Sequence, residues 1–507
     1  MKKRILIAVL FLTNATVRAG VHVSPLFSNH MVLQRDMPAP VWGTAAAGEK
    51  VVVKFRDQTK TADADAAGKW MVKLDPLKTG EPGVLTVAGT NTLTLEDVLV
   101  GDVWLCSGQS NMEWTLNSFK ADEDIAKADF PKIRHCARGG SWSVCSSKTA
   151  GDFTAVGFYF GCRVHQETGV PIGLIHNAIG GTPIEHWMPM VALDTSPFLK
   201  ELELKKMIEY RERLTKGLPE IEAWIKTAGS ATGAGVEFPA QPKIPDLPKN
   251  LNYSMLFTPH TLPLIPFAVK GMIWYQGENN NGDDDYDHKM KAFATGIRKS
   301  WGQGEFPIYF VQLPNIGGAN GNPEGGDGWS KFRAQQARCA TIPNGGMVVT
   351  IDVGDAGNIH PANKLDVGHR LAQWALAKDY GKKELIPCGP VYKAMKVEGN
   401  KVRLTFDFVG KGLMVGAKSG KELVREAPGG KLKQFAICSA TPSPQGSPHP
   451  GQKWFWADAE IDGDTIVVSS AEVSNPVAVH YAYSGNPEGC NLYNKDGLPA
   501  APFRTEN

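Results

Sequence analysis

The chain has no long apolar run. Ile5 to Leu12 is its first apolar stretch, and no later segment of the 507 residues reaches the length a membrane helix needs, about 18–20 residues. A strong charge of one sign is missing too. Lys and Arg number 54 against 52 Asp and Glu, and no basic run exceeds Lys2–Arg4. The resulting net charge of +2 argues against a nucleic-acid partner. The eight cysteines include no CxxC pair, so zinc and thiol-redox motifs are not expected. HExxH, EF-hand, phosphate-loop and dinucleotide patterns are absent, as are heptads and internal repeats; no metal or cofactor is expected. The acidic run Asp283–Asp287 reads as solvated charge at a helix N-terminus rather than as a calcium loop.

What is present begins with an export signal. Lys2, Lys3 and Arg4 are the basic region, Ile5–Leu12 the apolar core, and Val17-Arg18-Ala19 fits small-residue cleavage after Ala19. A soluble periplasmic or extracellular protein is expected. In an oxidising compartment some cysteines can pair, and Cys136 and Cys145 are the nearest in sequence; one sequence does not fix the connectivity. Cys106 and Cys162 lie in apolar runs and read as buried thiols.

At this length two or three domains are expected. Residues 20–97 show short alternating runs and turns, such as Lys50–Phe55, Lys69–Leu74 and Val84–Val87, which suggest a β-sandwich. From Val98 strands alternate with helices. Val98–Cys106, Pro171–Asn177, Val269–Gln276, Pro307–Leu313 and Gly346–Ile351 are short apolar runs of the kind buried on both faces of a parallel sheet. Tyr286, Met290, Phe293, Ile297 and Trp301 mark one helix face, and Val367, Leu371 and Trp374 another. The pattern over residues 98–386 predicts a doubly wound α/β domain, whose ligands bind at the carboxyl ends of the strands. Residues 195–250 read as an insertion: a charged helix Glu201–Lys216, a second helix Leu218–Thr227, and a linker with four prolines from Pro239 to Asn250. It is either a lid over the cleft or a solvated excursion. Residues 387–507 return to β pattern, with a proline-rich loop from Ala440 to Gly451.

One stretch organises the rest: Gly101–Trp114, GDVWLCSGQSNMEW. Val103–Cys106 end a strand, Ser107-Gly108 break it, and Ser110 follows on the turn before a short helix. A serine there either caps the helix or exposes its hydroxyl beside backbone N–H groups, as a nucleophile attacking a carbonyl requires. No GxSxG elbow surrounds it, which disfavours the common α/β-hydrolase arrangement.

Three further stretches, Gly173–Trp187 (GLIHNAIGGTPIEHW), Gly271–Asn280 (GMIWYQGENN) and Asn358–Arg370 (NIHPANKLDVGHR), join GQSNMEW in order. Together they resemble the sialate O-acetylesterase family of carbohydrate esterases, a branch of the SGNH hydrolases. The resemblance runs from about Val23 to Arg504. It implies an SGNH-hydrolase-like three-layer α/β/α sandwich with a parallel sheet, flanked by N- and C-terminal β-sandwich regions. It also implies a serine esterase that removes O-acetyl groups from glycans, sialic acids first. An acetylxylan or other hemicellulose acetylesterase is the rival of the same class. A non-catalytic carbohydrate-binding protein is the rival of another class, and the presence of both Ser110 and His360 argues against it.

Deacetylation needs a nucleophile, a base and an oxyanion hole. Ser110 is the nucleophile candidate and His360, in its Asn-Ile-His-Pro loop, the base. For the oxyanion hole the candidates are the backbone N–H groups of Ser110 and Gly181 and a side-chain amide from Gln276 or Asn279. The Gly-x-Asn block of SGNH hydrolases favours Asn279; related carbohydrate esterases favour Gln276. His176 is a candidate substrate contact, Glu278 an anchor of its loop, and Arg333 a tie in the surrounding shell. His186, His288 and His369 read as structural or surface groups. The family pattern has Asp where this chain has Asn358, and SGNH enzymes commonly place Asp where it has Gly357. The third triad member is therefore Asn358, Asp352, Asp355 or none.

Overall fold

The computed structural model describes residues 20–138, 140–231, 237–243, 253–440 and 452–506. The export signal and nearly all of the Ala440–Gly451 loop lie outside them, as does most of the Pro239–Asn250 linker. Among the described residues no helix is long and apolar enough to cross a membrane.

The centre is a mixed sheet. Its main path uses β1 (Thr92–Gly108), β2 (Asp129–Ala137), β3 (Trp142–Ser146), β4 (Ile172–Ala178), β5 (Gly271–Tyr275), β6 (Ile308–Val311) and β7 (Gly345–Val348). They lie in the order β3-β2-β4-β1-β5-β6-β7. Every neighbouring pair is parallel except β3 with β2, which is antiparallel. All residues of β4 and β5 are buried, which is why neither strand alternates apolar with polar residues; β4 is apolar up to His176 and Asn177 at its carboxyl end. Helices α1 (Ser110–Glu113), α2 (Ala155–Thr168), α3 (Pro197–Ala231), α4 (Tyr286–Trp301), α5 (Gly328–Arg338) and α6 (Lys364–Asp379) accompany it. The α4 stripe of Tyr286, Met290, Phe293, Ile297 and Trp301 is buried, as its spacing predicts.

Two expectations need correction. The boundary at residues 97 and 98 falls inside β1. Its first half pairs with Gly83–Ala88, and Val32–Gln34 runs parallel to its middle, so the N-terminal strands join the central sheet. One apolar core runs from Val21 through Trp104 to Trp374. The two helices expected at 201–216 and 218–227 are one, α3, which continues through Pro219. Only Leu199, Glu203 and Ala228 of α3 are buried, so it is a solvated helix, its base held by Tyr253 Oη donating to Glu203 Oε1 (2.8 Å). Cys136 and Cys145 do not face each other across the β2–β3 hairpin. Cys136 is opposite Trp142 and Cys145 opposite Phe130, and the Cys136 thiol donates to Gly140 O. Cys106 and Cys162 are buried thiols, as expected.

Beyond residue 387 the described residues form antiparallel strands in three small sheets with a second core around Val402, Leu404, Phe435, Ile466 and Val479.

Candidate active site

Four loops leave the carboxyl ends of the parallel strands and meet. The first follows β1. Gly108 (φ +137°) turns the chain there, and a Cβ on it would lie 2.1 Å from the carbonyl of Tyr275 on β5. Only glycine allows this approach. Gln109 N donates back to the same carbonyl at 2.9 Å, which pins the turn and leaves Ser110 at its tip.

The loop from β7 to α6 brings the histidine. His360 Nε2 lies 2.8 Å from Ser110 Oγ, although 250 residues separate them in sequence. The imidazole stacks on Trp114, with centroids 4.0 Å apart and planes at 22°. Burial, and then the nearby Lys364 cation, hold the His360 pKa below its ordinary value. Its neutral form, which accepts a proton from a serine, is thereby favoured.

The loops after β4 and β5 form the opposite wall. A Cβ built on Gly180 would be 3.3 Å from Ser110 Cβ, so the glycine loop lies directly against the serine. Gly180 N donates to Glu113 Oε2 (2.6 Å), and Glu113 also pairs with Arg138. Gly181 sits at φ +67°. Asn279 Nδ2 donates to Gly181 O (2.9 Å), and Asn279 N approaches Gln109 Oε1 (3.4 Å). Asn279 is exposed and has a second amide hydrogen to offer. Among the described residues nothing accepts from the backbone N–H of Ser110 or Gly181. Ser110, His360, Gly181, Asn279 and Glu278 thus come together.

The other candidates do not join them. Gln276 is 0% exposed and its amide is fully used. Nε2 donates to Thr182 O (3.2 Å) and Asn280 Oδ1 (2.7 Å), and Oε1 accepts from Tyr286 Oη (2.9 Å). It is a structural amide, not an oxyanion donor. Asn358 accepts from the backbone N–H of His360 (2.9 Å), so it shapes the loop rather than orienting the ring. Asp352 is engaged by Arg370 (2.6 and 2.7 Å) and Tyr493 Oη (3.0 Å); Asp355 accepts from Gly357 N (2.8 Å). Among the described residues none is hydrogen-bonded to His360 Nδ1, and the geometry is that of a dyad. His176 is buried beside His135 (5.5 Å), away from the Ser110–His360 pair in hydrogen bonding, and burial pushes its pKa down to about 4. Arg333 is buried elsewhere, donating to Pro314 O (3.0 Å), Ser484 O and Gly485 O; it ties α5 to the C-terminal region.

Sequence reading missed Asn111, Trp114, Glu113, Arg138 and Lys364. Asn111, Glu113 and Trp114 stand within the organising stretch and Lys364 four residues after His360, but nothing in their spacing shows what they touch. No group of acidic, histidine or cysteine side chains suited to a metal occurs among the described residues. The acidic run is solvated only in part: Asp284 is exposed, but its neighbours are engaged. Asp283 (2.5 Å) and Asp285 (2.6 Å) bind Lys289, which also meets the buried Glu185 (2.7 Å).

This chain matches a known structure over nearly its whole length. A carbohydrate acetylesterase from Xanthomonas citri superposes with a TM-score of 0.76 at 33% identity, covering 96% of this chain and all of that one. The chain belongs to the sialate O-acetylesterase family of carbohydrate esterases. The family model, carbohydrate esterase, sialic acid-specific acetylesterase, matches residues 100–223 and 253–377. The sialate O-acetylesterase of Rattus norvegicus is 29% identical over 96% of this chain and 94% of its own length. The Homo sapiens enzyme is 27% identical over 96% and 92%. Like the members of this family, the protein is a carboxylic ester hydrolase, and the four converging loops lie within the two matched segments.

Proposed function

We propose that the enzyme removes O-acetyl groups from glycans outside the cytoplasm, O-acetylated sialic acids first among them, through Ser110 and His360. In this reading His360 Nε2 takes the serine proton as Oγ attacks the acetyl carbonyl. The oxyanion accepts from the N–H of Ser110, the N–H of Gly181 and Nδ2 of Asn279. The sugar hydroxyl leaves with the proton from the imidazolium. Water, deprotonated by the same histidine, then releases acetate from acetyl-Ser110. The observation that carries the reading is the 2.8 Å contact between His360 Nε2 and Ser110 Oγ at the carboxyl end of a parallel sheet. The central sheet with its helices is read as SGNH-hydrolase-like, with β-sandwich regions on either side. Export rests on the basic and apolar pattern before Ala19.

The choice of sialosides rests on the names of the mammalian relatives and the family model. An acetylated hemicellulose is the second substrate class, supported by the broader description of the Xanthomonas citri relative as a carbohydrate acetylesterase. Acetate release from O-acetylated sialosides and from acetylated xylo-oligosaccharides decides between them. The reading expects a higher kcat/KM on sialosides, lost in Ser110→Ala. A higher kcat/KM on xylo-oligosaccharides overturns the sialoside assignment, and undiminished turnover by Ser110→Ala overturns the mechanism.

A further inference from the structure

The site has no acid on His360 Nδ1 among the described residues, yet the ring is aimed at Ser110. The stack on Trp114 sets the plane of the imidazole but not the position of its loop. A different contact does that. Asn111, the residue after Ser110, is 1% exposed. Its Nδ2 donates to the carbonyl of Ile359, the residue before His360, at 3.0 Å. The same nitrogen donates to Glu278 Oε1 at 2.5 Å, and Asn111 Oδ1 accepts from Lys364 Nζ at 2.5 Å. Both amide hydrogens and the amide oxygen are thus used, which fixes the plane of the side chain.

The two partners are unusual in their setting. Lys364 is 1% exposed, at the start of α6, with its ammonium over the rings of Phe119 (4.9 Å) and Tyr275 (5.3 Å). Glu278 is half-buried as a residue, but its Oε2 is buried without a hydrogen-bond partner. Burial pushes the Glu278 pKa up and that of Lys364 down to about 7. An ionisable pair is costly to bury, and a surface loop needs no such pair to stay folded. Here the two groups lie on either side of one amide, Glu278 accepting from it and Lys364 donating to it.

We propose that Asn111, clamped between Glu278 and Lys364, is the positioning residue of this site: it fixes the His360 loop against Ser110 by holding the Ile359 carbonyl, the task an acid on the imidazole performs in a Ser-His-Asp triad. The inference rests on the reading of Ser110 and His360 as nucleophile and base. The chain neighbour of Ser110 bonds the chain neighbour of His360, so a shift of the histidine loop relative to the serine turn breaks the contact. Glu278 arrives from the loop that also carries Asn279, so the brace joins the base, the nucleophile and the oxyanion wall.

Asn111→Asp tests this, because it keeps the shape and the acceptor for Lys364 while removing both donors. With 4-nitrophenyl acetate, kcat should fall about 100-fold, the scale of an ångström-level misplacement, with KM nearly unchanged. The rate of inactivation by an organophosphate should fall in parallel, with the circular dichroism spectrum preserved. Adding Glu278→Gln to Asn111→Asp exchanges donor and acceptor across that contact. The double variant should regain thermal stability but not kcat, because the Ile359 carbonyl still lacks its donor. Wild-type kcat in Asn111→Asp, or kcat returning together with stability in the double variant, overturns the proposal. Should Asn111→Asp fail to fold, Lys364→Met removes the group that aims the amide. Its kcat should drop with KM preserved, and an undiminished kcat overturns the proposal equally. Ser110→Ala is run beside them. If it stays active, the dyad reading has failed; if it is inactive while Asn111→Asp is fully active, only the positioning role has.

Discussion

Asn279 and Gln276 stand three residues apart, and their environments assign them different work. Asn279 is exposed against the Gly181 loop; Gln276 is sealed among Thr182, Asn280 and Tyr286. Asn279→Ala should lower kcat about 100–1,000-fold with little effect on KM, the loss expected from one oxyanion donor. Gln276→Ala should instead leave buried partners unsatisfied and lower stability by about 1–3 kcal/mol, measured by urea denaturation. The His360 ring makes a third prediction. A base must be neutral to act, and burial together with Lys364 lowers its pKa. Activity should therefore rise with pH through an ionisation below the ordinary histidine value of about 6.5 and persist further into acid. A kcat/KM profile with its acid limb at or above that value contradicts the assignment. Ser110 and His360 stand out because their motifs resemble those of the family; the local strand end and turn alone leave Ser110 as either a helix cap or a nucleophile. The partners of Asn358, Asp352 and Arg333 are not legible, since a sequence shows which groups a loop carries but not whether a backbone N–H or another element has already taken them.

At the scale of elements, five of the six parallel strands could be read from their apolar runs, and α4 from its stripe. The hairpin β2–β3 could not. Lys132, Arg134 and His135 interrupt its apolar pattern, and the buried Arg134 is met by Asp97 at 2.6 Å and by the carbonyls of Pro131 and His30. The break expected between two helices at Gly217 did not occur either, because a proline removes one hydrogen bond and α3 continues past it. The acidic run shows the same limit. Asp283 and Asp285 are polar in sequence but serve Lys289, which is 0% exposed at its side chain beside an equally buried Glu185. Burial opposes the lysine charge, and Glu185, Asp283 and Asp285 outweigh it and raise its pKa. Lys289→Met leaves Glu185 buried without its cation and should cost about 3–5 kcal/mol, read from the shift in denaturation midpoint. A stability equal to that of wild type would show the network to be dispensable.

Across the whole molecule, the sequence pattern changes from β to α/β and back to β, but the boundary expected between residues 97 and 98 does not interrupt the fold. β1 runs through that boundary, so residues 20–97 share a sheet and a core with the catalytic region. The C-terminal strands keep a core of their own and are tied on by buried polar contacts, among them Arg333 to Ser484 and Gly485, and Asp352 to Arg370 and Tyr493. Asp352→Asn should accordingly lower the melting temperature while leaving kcat close to wild type. A crippled kcat at unchanged stability would return Asp352 to the catalytic machinery. In the proposed mechanism Ser110, activated by His360, is the nucleophile. Peptide mass spectrometry after treatment with a serine-directed organophosphate tests this assignment. One adduct is expected, on Ser110, formed in step with loss of activity and strongly slowed in His360→Ala. An adduct on another serine, or full inactivation with Ser110 unmodified, would contradict it.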